Sequence, residues 1–391
     1  MTARRWLVVF ALAAAVHNAL RAGAVILGVK GNWFFPYLGG RARRPPDIAG
    51  WAELAVIATV LAPAFLLGVH FWRRTTPLGP ILRSSLWAAL SGALLGLLGV
   101  AVLTQVSASY GYMLFVSLPF AVGLHAAVAL SWQKPITKSD ALLVSSAAVL
   151  LLGAILIAAA MEGLICLVMA APIALPLAML GGLFGYTIRH QPALRSPATF
   201  LLLAGLLPSS APLERALIQN DEVFETTSSI DIASTPDRVW RTVLQPAKLR
   251  PPTDLIFRAG IAYPRESHIE GSGPTAIRYC DFSTGKLVEP VLLWEEERRL
   301  RFSVVSNPFP LEEWTPYAHI HPPHLDGFLV SRQGEFRLQP LPNGGTRLSA
   351  TTWYQHHLAP SRYWLLWSDR IIHQVHGMVL ENIRERAEAK N

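Results

Sequence analysis

The chain holds 391 residues, 52% of them hydrophobic and only 15% charged, with a formal net charge of +8. The charge is unevenly placed: residues 1–212 carry 14 Lys/Arg against 4 Asp/Glu, and residues 213–391 carry 20 against 22. Basic residues set between apolar runs follow the pattern of cytoplasmic loops rather than of a nucleic-acid-binding face, so nucleic acid is excluded as a partner. Two cysteines, Cys166 and Cys280, exclude a disulfide framework.

Apolar runs recur at the length a bilayer requires, roughly 20 residues. They predict spans near residues 6–29, 50–72, 85–105, 112–132, 140–160, 163–188 and 197–212. The first carries His17, Asn18 and Arg21, and the last is short and contains Pro208. Short-loop charges set the orientation. Arg73, Arg74 and Arg83, then Lys134 and Lys138, then Arg189 and Arg195 fall on one side, which is the cytoplasmic one. The first loop, with Lys30, Arg41, Arg43 and Arg44, violates the rule. Seven spans place the C-terminal part outside the cytoplasm; six would place it inside. His125 and Glu162 lie in or beside spans, where hydrogen bonding between helices is the reading favoured over a proton path. Gly181, Gly182 and Gly185 supply the small-residue spacing of close helix packing.

From about Glu222 the period changes from helical to two. Ser228-Ser229-Ile230-Asp231-Ile232 alternates and stops at Ala233-Ser234-Thr235-Pro236, where Thr235 suits an N-cap and Pro236 the first helical position. Val239, Trp240 and Val243 form the apolar face of a short helix. Strand signals follow near 265–271, 275–284, 286–296, 299–306, 328–340 and 346–357, and turns at Ser283-Thr284-Gly285 and Asn343-Gly344-Gly345 separate some of them. Pro360 opens a last helix to about residue 388, whose apolar set is Leu365, Ile372, Val375, Val379 and Ile383. The domain organisation predicted is a transmembrane part over 1–212, a linker over 213–221 and a soluble α+β domain over 222–391.

The strand–helix opening Ile230-Asp231-Ile232-Ala233-Ser234-Thr235-Pro236-Asp237-Arg238-Val239-Trp240 resembles that of the START-like, or SRPBCC, superfamily. The closing Gly345-Thr346-Arg347-Leu348-Ser349-Ala350-Thr351-Thr352-Trp353 strand and terminal amphipathic helix resemble its end. The resemblance covers roughly 222–388. It implies a helix-grip fold, a curved antiparallel sheet wrapped around a long C-terminal helix, with an internal cavity. Members bind lipids, sterols, polyketides or hormones, and some are cyclases or hydrolases. The membrane part is similar to the attachment of some bacterial members.

Candidate site residues fall in two groups. The inward face of the last helix, Leu365, Ile372, Val375, His376 and Val379, forms one wall of the expected cavity, with His373, Tyr317 and Trp353 as further candidates. Glu313, His319, His321, His324 and Asp326, in or beside a Pro-rich loop, form a candidate polar site. A His–carboxylate pair there would suit acid–base work. His-x-His-x-x-His without a stronger ligand spacing does not define a metal site, so no metal and no cofactor are expected. The function expected is binding of a hydrophobic small molecule or lipid by a domain tethered to a bilayer, without catalysis. The alternatives are a cyclase, dehydratase or hydrolase using His and carboxylate groups at the cavity, and a transporter or assembly scaffold with an accessory domain. The expected location is the bacterial inner membrane, with the soluble domain extracytoplasmic.

Overall fold

A computed structural model describes residues 80–106, 110–191, 222–316, 320, 322–327 and 329–389. The spans expected near 6–29, 50–72 and 197–212 lie outside these residues, as do the linker at 213–221 and Tyr317, His319 and His321. The chain divides into two compact units. The first holds the described residues of Met1–Gly163, Ala170–Ala211 and Tyr317–His321. The second holds Leu164–Met169 with the described residues of Pro212–Pro316 and Pro322–Asn391.

Among the described residues, four helices are long and apolar enough to cross a membrane. They are α1 (Pro80–Ala101, continued by a π turn over Val102–Val106), α2 (Leu118–Ser131, entered through a π turn over Met113–Ser117), α3 (Lys138–Ala158) and α4 (Leu164–His190). Their positions match the four middle spans expected from hydropathy. Local sequence sets the start of α3: Thr137 caps it, accepting from the Asp140 N–H at 3.1 Å, while Asp140 accepts from the Thr137 N–H at 2.9 Å.

Small residues decide how these helices pack. A Cβ added at Gly123 would lie 1.9 Å from the Ala178 carbonyl oxygen, and one at Gly181 would lie 2.0 Å from that of Phe120. Backbone therefore meets backbone where α2 crosses α4, the close approach that only glycine permits. Several polar side chains find partners inside the unit. Ser145 donates to the carbonyls of Ala141 and Gly123 at 2.7 and 3.0 Å, and His125 Nε2 lies 3.2 Å from Ser91 Oγ. His125 thus takes the helix–helix hydrogen-bonding role expected of it.

The second unit carries an eight-stranded antiparallel sheet in the order β1-β8-β7-β6-β5-β4-β3-β2. Its strands are β1 (Phe224–Ile232), β2 (Ala247–Lys248), β3 (Pro264–Glu270), β4 (Ile277–Phe282), β5 (Gly285–Glu295), β6 (Arg299–Ser303), β7 (Leu329–Pro340) and β8 (Thr346–His356). Helices α5 (Pro236–Leu244) and α6 (Leu255–Arg258) follow β1, and α7 (Ser361–Glu388) closes the chain. This is the helix-grip arrangement: a curled sheet gripping one long helix. Alternation places Leu300, Phe302, Phe336, Leu338, Leu348 and Ala350 on the inner face. There they meet Val239 and Trp240 of α5 and Leu380, Ile383 and Ala387 of α7. Thr235 stands at the N-cap of α5, but its side chain makes no capping hydrogen bond. At the β7–β8 turn Gly344 has φ +81°, the left-handed geometry that the Asn-Gly-Gly signal implied.

A second apolar cluster in this unit joins Ile165 to Phe257, Ile261, Leu311 and Leu325. On the outer face of the sheet, buried Glu335 collects Arg301 at 2.7 Å, Arg337 at 3.2 Å and Arg299 at 3.7 Å. Arg299 and Arg301 of β6 are therefore partners of a carboxylate on β7.

The packing predicts that Gly123→Leu lowers the stability of the full chain in detergent by about 1–3 kcal/mol, because the added side chain has only backbone to displace. Leu143→Ala, at a position 71% exposed, changes it by no more than about 0.5 kcal/mol. Thermal melting followed by intrinsic fluorescence checks both. Equal melting of all three proteins would contradict a backbone contact at Gly123.

Candidate functional site

Between the inner face of the sheet and α7 lies a cavity of about 170 Å³. Strands β4 and β5 contribute Arg278, Cys280, Phe282, Leu287 and Glu289, all on the inward parity of their strands. Strands β6 and β7 add Phe302 and Phe336, and α7 adds Ile371, Ile372, Val375, His376 and Val379. The wall is mainly apolar; besides Asn307, Ser331, Gln333 and Thr352, two buried polar groups stand on it.

The first is an ion pair. Arg278 and Glu289 stand directly opposite each other in the β4–β5 ladder and are joined by a guanidinium–carboxylate hydrogen bond. Both are buried, at 7% and 5% exposure. The guanidinium carbon also lies 5.0 Å from the Phe302 ring centre and 5.5 Å from that of Phe336, so the ring faces help hold the cation. Burial pushes the Glu289 carboxyl up, and Arg278 pulls it back. Burial also pushes the nearby Cys280 thiol up to about 12, which keeps it protonated and unreactive.

The second is His376. Its Nε2 lies 2.8 Å from Thr352 Oγ1 and its Nδ1 3.2 Å from Ser228 Oγ. Ser228 Oγ also lies 2.7 Å from His373 Nδ1, and Asp369, which accepts from Thr226 at 2.7 Å, lies 3.6 Å from His373 Nε2. Burial, with His373 adding to it against the pull of Asp369, lowers His376 to about 4. The ring is neutral at pH 7 and hydrogen-bonds hydroxyls.

The residues singled out from sequence divide. Ile372, Val375, His376 and Val379 line the cavity. Leu365 does not; it is half-buried, one residue past buried Trp364 and so about 100° around the helix from the face that turns inward. His373 is exposed and reaches the site only through Ser228. Trp353 has the outward parity of β8, between inward Thr352 and Tyr354; its indole N–H donates to Glu225 at 2.9 Å and its ring lies under Arg301. Glu313 and His324 are not part of the cavity wall but face Cys166, and Asp326 is exposed. Tyr317, His319 and His321 lie outside the described residues. Arg278, Glu289 and Cys280 were missed. Their signal is present in the sequence: Arg278-x-Cys280-x-Phe282 places a charge on the apolar parity of a strand.

No protein-family model and no curated protein matches the chain. Solved structures do resemble it. XoxI from Bacillus cereus is 13% identical over 41% of this chain and 93% of its own, with a TM-score of 0.27. A point mutant of Thalictrum norcoclaurine synthase, in complex with a transition-state analogue, is 12% identical over 42% and 94%, with a TM-score of 0.28. The Aha1 dimer of Colwellia psychrerythraea is 12% identical over 42% and 99%, with a TM-score of 0.25. No ligand or reaction is carried over from likeness at this level.

Two buried neutral histidines make stability depend on pH. His356, stacked on Phe224 at 4.6 Å, is also lowered to about 4, by burial first and by His357, against a backbone hydrogen bond at Leu358. The unfolded chain protonates its histidines near 6.5, and the folded chain resists until about 4. Stability is therefore complete above pH 6.5 and falls as pH drops toward 4, by about 3 kcal/mol for each ring. Melting of the full chain in detergent between pH 7 and pH 4.5 should show this fall, with a shallower slope for His376→Gln. An unchanged slope in that variant would mean that His376 is solvated.

Proposed function

We propose that the C-terminal unit binds a compact hydrophobic molecule bearing a polar group, and that the apolar helices keep this unit at a bilayer. The cavity carries this reading: an apolar space lined by Phe302, Phe336, Val375 and Val379, with polar groups at Arg278–Glu289 and His376. Pockets of this kind use apolar walls for affinity and a few placed polar groups for orientation. Volume narrows the ligand. An apolar cavity of about 150 Å³ holds a molecule the size of benzene, whereas drug-sized ligands need about 300–1,000 Å³. A cavity of about 170 Å³ suits one ring or a short chain better than a two-chain lipid. Tethering at the membrane raises the local concentration of ligands that partition there.

Binding is favoured over catalysis by the state of the polar groups. Glu289 is committed to Arg278, and His376 is held by Ser228 and Thr352. Acid–base catalysis by a cyclase, dehydratase or hydrolase would use a carboxylate paired with a histidine in the cavity. The proposed setting is the bacterial inner membrane with the C-terminal unit outside the cytoplasm. Arg83 at the start of α1, Lys134 and Lys138 between α2 and α3, and Arg189 at the end of α4 all fall on one side if these helices alternate.

A fluorinated single-ring probe, followed by 19F NMR with the full chain in nanodiscs, is expected to bind saturably. Val379→Trp fills the cavity and should lower affinity at least tenfold while melting normally. Wild-type affinity in a normally folded Val379→Trp protein would remove the cavity as the site. For the membrane side, a reporter active only outside the cytoplasm and fused after Asn391 should be active. Activity of a cytoplasm-only reporter there would reverse the assignment.

A further inference from the structure

We infer that Cys166, Glu313 and His324 form a site for a zinc-class divalent metal ion. The three come from separate stretches of the second unit: the first turn of α4, the segment after Leu311, and the short 3-10 turn Pro323–Leu325. Their ligand atoms, a thiol sulfur, a carboxylate oxygen and an imidazole nitrogen, all lie within 4.8 Å of one another. Cys166 Sγ and His324 Nε2 are 3.0 Å apart. Around a tetrahedral zinc ion a sulfur and a nitrogen ligand stand about 3.5 Å apart, so the pair needs to open by only about half an ångström.

Glu313 supplies the second observation. It is 6% exposed, and among the described residues no donor meets hydrogen-bond geometry at either carboxylate oxygen. The Cys166 side chain and the N–H groups of Cys166 and Ile165 are the groups nearest to satisfying it. A buried carboxylate facing a thiol and an imidazole is a donor set that accommodates a divalent ion. Thiolate with imidazole and carboxylate selects zinc over calcium or magnesium, which take oxygen ligands. The fourth position of a tetrahedral ion goes to a further carboxylate or to water. Binding converts the Cys166 thiol to thiolate and releases its proton to solvent.

The surroundings give the site rigidity. Ile165 packs with Phe257, Ile261, Leu311 and Leu325, so the neighbours of Cys166 and His324 and a residue two before Glu313 share one apolar cluster. The Leu164 N–H donates to the Trp314 carbonyl at 3.0 Å, tying the segments that carry Cys166 and Glu313. Sequence spacing does not reveal the site, because Cys166 and His324 are 158 residues apart. This inference is independent of the cavity between the sheet and α7.

Cobalt(II) added to the chelator-treated full chain in detergent tests it. About one equivalent should bind, with the near-ultraviolet charge-transfer absorption of a cobalt–thiolate bond, and zinc should displace it. Cys166→Ser should abolish that absorption, Glu313→Gln should weaken binding about tenfold or more, and Cys280→Ser should leave both unchanged. A measurement on the wild-type chain covers the case in which a variant does not fold: zinc should protect Cys166 from alkylation. No cobalt–thiolate absorption in the folded wild type, its persistence in Cys166→Ser, or alkylation of Cys166 unaffected by zinc would each overturn the site.

Discussion

The inner face of an eight-stranded curled sheet needs an apolar cover, and α7 is the element in this unit long enough to provide one. Its 28 residues span about 42 Å. A straight helix laid along a curled surface touches it well at some levels and stands off at others. Toward its C-terminal end, Leu380, Ile383 and Ala387 close against Val239, Trp240, Leu348 and Leu338 in a filled core. Around Ile372, Val375 and Val379 the sheet stands away, and the space between becomes the cavity. The cavity is thus a consequence of covering a curved face with one helix.

The same constraint explains where polar groups sit. The hydroxyls of Thr226 and Ser228 on β1 and Thr352 on β8 reach Asp369, His373 and His376 on α7. These bonds tether the helix to one margin of the sheet, where side-chain volume alone would not fix its rotation. Arg278 and Glu289, on strands farther across the sheet, are buried as a pair. Loss of one partner from a buried ion pair typically costs about 3–5 kcal/mol, whereas an apolar pair of equal volume is often neutral. The pair is therefore weak evidence for added stability. On the proposed function, its place on the cavity wall serves to orient a ligand's polar group.

Much of the architecture was legible because it rests on period. The change from long apolar runs to alternation near Glu222, the strands between 264 and 356, and the final helix all follow from it. The inward face of α7 was legible from Ile372 to Val379 for the same reason. Leu365 was misread because apolarity was taken for facing: buried Trp364 and Ser368 carry the face at that level, and Ser368 meets the Tyr354 hydroxyl at 3.1 Å. Trp353 has the outward parity of β8, which its place in an aromatic cluster does not reveal. Glu313 and His324 were assigned to the cavity by composition. Their meeting with Cys166 depends on tertiary packing, which no local pattern encodes.

On the proposed function, the space between α7 and the sheet holds a compact apolar guest. Native mass spectrometry of the full chain, ejected from mild detergent after purification without added ligand, tests it most directly. One tightly retained adduct is expected, apolar and of single-ring or short-chain size. A chain that carries only two-chain phospholipid, or nothing under conditions that preserve the fold, would contradict it.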